Sequence, residues 1–188
     1  MNDIVYTIIG IAVIVAAVYF KLKEDRSKAE KKPKTNLPHA HAPEANRDIK
    51  KDIHEASRWV SGALTSSGFK ADYSLNSLKE IERFFEENII ESKPKPGGFL
   101  AEQFGSRIFA IGAYIGDVLI QHSNGHWEAS DDDPKVEMNI KIVSQTGLEA
   151  WPVQKLLKRI KNGSEENIHH YGLAFIKHSE KESSNKAE

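Results

Sequence analysis

Arg107, Tyr114 and Asp117 fall on one narrow polar strip of an otherwise apolar segment, 99–122, with Gln103 and Gln121 beside them. A guanidinium, a phenol and a carboxylate on one helical face are groups that recognise a ligand or a partner. Trp127 and Trp151 follow closely enough in the chain to act as aromatic anchors. The same groups have a structural use, since Tyr114 and Asp117 would satisfy backbone groups of an adjoining loop and hold the core in register. If these side chains line a pocket, His126 belongs with them, and a small-ligand sensor or an enzyme becomes the alternative reading.

Other reactive residue types are scattered. His39 and His41 lie in a proline-rich stretch that offers no further metal ligands, and His169-His170 has no carboxylate or serine at a recognisable spacing. Asp131, Asp132 and Asp133 lack the alternating ligand pattern of a calcium loop and read as a turn. No nucleophile elbow, P-loop, H-E-x-x-H or dinucleotide fingerprint occurs. The chain has no cysteine, which removes disulfides and thiolate chemistry. No catalytic residue, cofactor or metal is called for, and a non-enzymatic protein is expected. With 26 basic and 27 acidic residues there is no global field to attract nucleic acid.

The strip must be carried by a helix. Around it, Phe104, Ile108, Ile111, Ile115 and Val118 form one apolar stripe, and Phe109, Gly112, Ala113, Gly116 and Ile120 a second, smoother one. A helix apolar nearly all round is buried. Gly112 and Gly116 have the spacing that lets helices approach closely in membranes. Arg107 and Asp117 nevertheless leave too short an uncharged run to span a bilayer, which needs about 20 residues. The two glycines are therefore expected to be close-packing positions in a core, against a neighbouring helix or a sheet.

Residues 4–20, "IVYTIIGIAVIVAAVYF", are different: seventeen positions without a charge, spanning roughly 25 Å as a helix. They predict a single transmembrane anchor over 4–22. Residues 21–34 carry seven Lys or Arg against three acids, so the positive-inside bias places the N-terminus outside and the bulk of the chain in the cytoplasm. Ala12 and Ala16 form a small-xxx-small pair, a spacing common in membrane helices that also suits a dimer through the anchor. A charged, proline-rich linker is expected over 23–48 and a polar, disordered tail over 178–188.

Between them, 49–177 reads as one α+β domain. Ile53, Ala56, Trp59, Val60, Ala63 and Leu64 make a helical stripe ending at Gly68. Leu78, Ile81, Phe84 and Phe85 make another, opened by a Ser77/Glu80 capping box and broken by "SKPKPGG". After the central helix, stopped by Asn124-Gly125, "HWEAS", "VEMNIKIV" and "LEAW" predict a three-stranded antiparallel meander. Pro152 then opens a helix that Gly163 closes, a further turn or two follows in "SEENIHHYG", and "LAFI" is a last apolar segment. On that helix Lys155, Lys158, Arg159 and Lys161 form a basic side, which reads as a solvated face and, as the alternative, as a contact with anionic lipid beneath the membrane.

The run "IGAYIGDVL…NGHWE…WPVQKLLKRIKNGSEENIHHYG" resembles a group of uncharacterised bacterial domains. In them a G-x-Y-x-G-E/D-V helix precedes a G-x-W strand, and a P-x-x-x-x-x-K-R-x-x-N-G segment closes with a tyrosine. The matching positions, within 108–172, are Gly112, Tyr114, Gly116, Asp117, Trp127, Pro152, Lys158, Arg159, Gly163 and Tyr171. The resemblance implies a bacterial source, hence the inner membrane as the site of the anchor, and carries no activity with it. The expected function is a membrane-anchored protein-interaction module, a scaffold or a toxin-immunity-like protein.

Overall fold

The computed structural model of the chain describes residues 48–185, with side chains through Glu180. The apolar run 4–20, its Ala12/Ala16 pair, and His39 and His41 of the linker lie outside the described residues. Among the described residues no helix is long and apolar enough to cross a membrane, in keeping with the reading of the central glycine-bearing helix as a core element.

Helix α1 spans Ile49–Ser66. Its first turn is closed by the Asp48 carboxylate, which accepts from the amides of Lys50 and Lys51. Asp131 comes from far along the chain to accept the Ile49 amide at 2.8 Å, so part of the acidic turn serves to hold a helix end. Ile53, Ala56, Val60 and Leu64 are buried along one stripe. Helix α2 spans Ser77–Asn88 and buries Leu78, Ile81, Phe84 and Phe85. The expected capping box does not form. The Ser77 hydroxyl turns inward to the Ser74 carbonyl, and Glu80 pairs with Arg83 instead. The "SKPKPGG" break contains a small unpredicted hairpin, β1 (Ile89–Ile90) with β2 (Lys93–Pro94).

Helix α3, Phe104–Ser123, is the hub: it packs on α1, on two strands of the sheet that follows it and on both late helices. Residues 99–103 stay outside it, and Gln103 enters in the left-handed region at φ 48°. Asn124, at φ 49° and ψ 36°, ends α3, taking the left-handed role expected of Gly125. Gly125 is required for another reason: a Cβ there would lie 2.7 Å from the Val143 carbonyl oxygen. The sheet is the expected antiparallel meander, β3 (His126–Glu128), β4 (Lys141–Val143) and β5 (Glu149–Ala150). Trp127, Ile142 and Ala150 lie in register and form its buried row. Only the second half of "VEMNIKIV" is strand, because Val136–Asn139 forms a helical turn, α4. Asp133 favours that turn by accepting from the Lys135 amide and the Asn139 side chain.

Helix α5, Pro152–Asn162, begins with Pro152 at a first-turn position and leads through a 3₁₀ turn, Gly163–Glu166, into α6, Ile168–Asn185. The helix thus runs well past 178, where a disordered tail is expected; buried Phe175, Ile176 and Ser179 hold its middle to the core. One buried ion pair joins these late helices to the early ones. Glu82 of α2 accepts from Arg159 Nε at 2.5 Å and from the Ile168 amide at 2.9 Å. One carboxylate therefore neutralises a buried guanidinium and satisfies an amide at the start of α6. The domain is α+β and helix-rich, with one small antiparallel sheet.

Candidate functional site

The two glycines of α3 admit two different neighbours. At Gly112 a Cβ would come within 2.5 Å of Val153 Cγ2 and 3.2 Å of the Val153 backbone, so helix α5 crosses there. At Gly116 a Cβ would overlap Cη2 and Cζ2 of the Trp127 ring. The Cη2–Cζ2 side of the indole of β3 thus presses against α3 at Gly116, and its nitrogen reaches the next polar residue on the helix. Trp127 Nε1 donates to Asp117 Oδ1 at 2.9 Å. Asp117 fixes the sheet to the helix and still keeps 21% of its side chain exposed. It braces the core with one side and meets solvent with the other.

What it meets is an open cleft of about 550 Å³ lined by His54, Arg58, Asp72, Tyr73, Asp117, Ile120 and Gln121. His54 and Arg58 are one turn apart on the outer face of α1, and Asp117, Ile120 and Gln121 stand opposite on α3. The loop after α1 supplies the end wall. His54 Nδ1 lies 3.9 Å from Asp117 Oδ1, an ionic rather than a hydrogen-bonding distance. Asp72 accepts from the Ser74 hydroxyl at 2.6 Å and from its amide, and Lys70 stands 3.0 Å away. Arg58 has no ion-pair partner among the described residues, so the cleft offers an uncompensated guanidinium beside a half-engaged carboxylate.

Tyr73 gives the end wall its shape. It is held at φ 61°, a left-handed conformation rare for an aromatic residue and costing about 1–3 kcal/mol. A directed relay holds it there. The Tyr73 amide donates to the Tyr114 hydroxyl at 3.0 Å, that hydroxyl donates to Ser77 Oγ at 2.6 Å, and Ser77 donates to the Ser74 carbonyl at 2.6 Å. Tyr114 is fully buried, and its burial, more than its hydrogen bonds, pushes its pKa up. Removing the hydroxyl in Tyr114→Phe is expected to cost about 1–3 kcal/mol, because the Tyr73 amide loses its acceptor. Urea unfolding measures that loss, and hydrogen exchange over 69–76 should quicken more than over α5. Unchanged exchange in the loop would contradict the relay.

Asp72 makes the wall acid-sensitive. The Ser74 hydroxyl first, then Lys70 and the Ser74 amide, bring its pKa from 3.8 to about 2. The folded value lies below the unfolded one, so the stabilisation is complete above pH 3.8 and disappears as pH falls towards 2. The side chain is 39% exposed, and screening keeps the effect small. The stability difference between the wild-type chain and Asp72→Asn should shrink across that interval; parallel pH profiles would contradict it.

The other expected site residues lie elsewhere. Arg107 donates to the Phe99 carbonyl and stacks on the Phe99 ring, its Cζ 4.8 Å from the centroid, and burial lowers its pKa. His126 is exposed on β3 and does not line the cleft. The pocket of Arg107, Tyr114, Asp117 and His126 is therefore not formed, and only Asp117 of the four faces the cleft. Trp151 is 38% exposed at the start of α5, its amide donating to the Tyr171 hydroxyl, whose pKa burial raises to about 12. The basic side of α5 is also divided. Lys155 pairs with Glu166 at 2.6 Å and Arg159 is buried against Glu82, which leaves Lys158 and Lys161 exposed. His169 and His170 have rings 6.0 Å apart, and burial lowers the His169 pKa. Among the described residues no group of side chains is arranged to hold a metal ion.

Four lining residues, His54, Arg58, Asp72 and Tyr73, escape the sequence reading. The spacing of His54 and Arg58 marks a shared helix face, but nothing local indicates that α3 stands opposite. Compared with protein-family models, curated proteins and solved structures, the chain matches none.

Proposed function

We propose that this chain is a non-enzymatic protein-interaction module, anchored in the bacterial inner membrane through residues 4–20, that takes a segment of a partner protein in the cleft between α1 and α3. The observation that carries the reading is Tyr73, held in a costly backbone conformation at the wall of a cleft whose other groups, Arg58 and Asp117, remain available. Strain of this kind persists where surrounding structure enforces it, commonly at binding sites. The cleft is open, which suits a polypeptide segment better than an enclosed small molecule. Scaffolding of an envelope complex or neutralisation of a toxin both use such a surface.

Two experiments test the reading. Full-length chain isolated in mild detergent should bring down a specific partner, and Arg58→Glu with Asp117→Asn should lose it while remaining folded. Equal recovery with the double variant would remove the cleft from the mechanism. Protease added to spheroplasts should leave the domain intact, and digestion from outside would overturn the cytoplasmic placement.

A further inference from the structure

The β1–β2 hairpin exposes the most accessible large apolar side chain among the described residues, Ile90, at 52%. Its ladder partner is Lys93. Between them Glu91 and Ser92 adopt φ 50° and 61°, the double left-handed geometry of a tight hairpin turn that normally selects asparagine and glycine. Two ordinary residues held this way require an external restraint, and one is present. The Ser92 hydroxyl donates to the Lys161 carbonyl at 3.1 Å, fastening the tip to the last turn of α5. That contact brings Ile90 and Lys93 beside Lys161, with Lys158 one turn earlier and Lys95 just beyond the strand. None of these four lysines has an ion-pair partner among the described residues. Glu91 in the turn opposes them, and Glu166, which also feels Lys158, is already paired with Lys155.

We infer that the hairpin tip and the end of α5 dock on an anionic bilayer surface, with Ile90 as the apolar wedge and Lys93, Lys95, Lys158 and Lys161 on the lipid headgroups. Each lysine near such a surface favours binding by roughly five-fold, weak alone but matched to a tether. A flexible coil as long as 23–48 would reach about 30 Å and would hold the domain at an effective millimolar concentration beneath the membrane of the proposed anchor. The inference rests on the anchor proposed above and is independent of the cleft. It also replaces the broader basic face expected from the sequence, since Lys155 and Arg159 are engaged with carboxylates.

The test is hydrogen exchange on full-length chain reconstituted into vesicles of phosphatidylcholine alone or mixed with phosphatidylglycerol. Amides of 89–95 and 158–163 should exchange about five-fold more slowly in the mixed vesicles, with α3 unchanged as the folding control. Replacing Lys93, Lys95, Lys158 and Lys161 together by glutamine should abolish the difference, and Ile90→Ser should diminish it. Equal hairpin exchange in the two vesicle types, or protection that survives the quadruple lysine variant, would overturn the inference. Flotation with phosphatidylcholine vesicles reads the anchor separately: a chain that fails to float speaks against residues 4–20 alone, because hairpin protection is scored by its dependence on phosphatidylglycerol.

Discussion

Replacing Arg159 by methionine should lower the unfolding free energy by about 3–5 kcal/mol, the cost of leaving one partner of a buried ion pair uncompensated. The effect is large because Glu82 has no solvent to turn to. The two side chains are 8% and 6% exposed, and the other carboxylate oxygen already holds the Ile168 amide. Three helices meet at that carboxylate, so loosening it frees the junction of α2, α5 and α6 together. Glu82→Leu combined with Arg159→Met should recover much of the loss, as apolar replacement of a buried pair commonly does. Recovery should stop short by about 1–3 kcal/mol, because the buried Ile168 amide then has no acceptor. Urea unfolding followed by tryptophan fluorescence provides the values. A single variant as stable as the wild-type chain would show that the pair is not what holds the late helices.

The second large effect is expected at Gly116. Alanine is the better helix former by about 1 kcal/mol, yet Gly116→Ala should destabilise the domain by about 2 kcal/mol net, since overpacking a rigid site costs about 1–3 kcal/mol or more. The methyl would occupy space held by the Trp127 ring. That ring cannot retreat: its Nε1 is fixed to Asp117, and Ile142 stands beside it in the sheet. Trp127→Phe in the same chain removes the obstructing atoms, so the double variant should be more stable than the sum of the single losses by at least about 1 kcal/mol. Strict additivity would mean that the glycine is not there for the indole. Gly112→Ala is expected to cost less, because the first atom met is a Val153 methyl.

Much of this architecture is written in local patterns. The stripes of α1 and α2, Pro152 at the start of α5 and the three-stranded meander all follow from periodicity and turn residues, and the chain folds accordingly. The role of Gly112 and Gly116 as contact points is legible too, though not that one admits a helix and the other a tryptophan. Failures occur where distant residues override a local signal. Ser77 has the sequence of a helix cap but serves Tyr114, thirty-seven positions away. Arg159 has the spacing of a surface cation but neutralises Glu82, seventy-seven positions away. The cleft is the extreme case: its walls belong to α1, the loop after it and α3, and no window of sequence contains all three.

Several of the positions singled out in the sequence between 112 and 171 are joints of the fold. Tyr114 closes the relay to Tyr73, Trp127 and Asp117 tie sheet to helix, and Tyr171 receives the Trp151 amide. Arg159 lies in the buried pair and Gly163 turns the chain at φ 83°. Lys158 is exposed and Asp117 faces the cleft, while His54 and Arg58 lie outside these positions.

Site-specific photo-crosslinking in living cells tests the cleft most directly. A photoreactive residue placed at Gln121, on the exposed edge of the cleft, should give one discrete adduct, while the same residue at Lys177 on α6 should give none. Arg58→Glu with Asp117→Asn should abolish the adduct from position 121 without altering the level of the chain. An adduct that survives those changes, or that forms from position 177 and not from 121, would show that the partner engages a different surface.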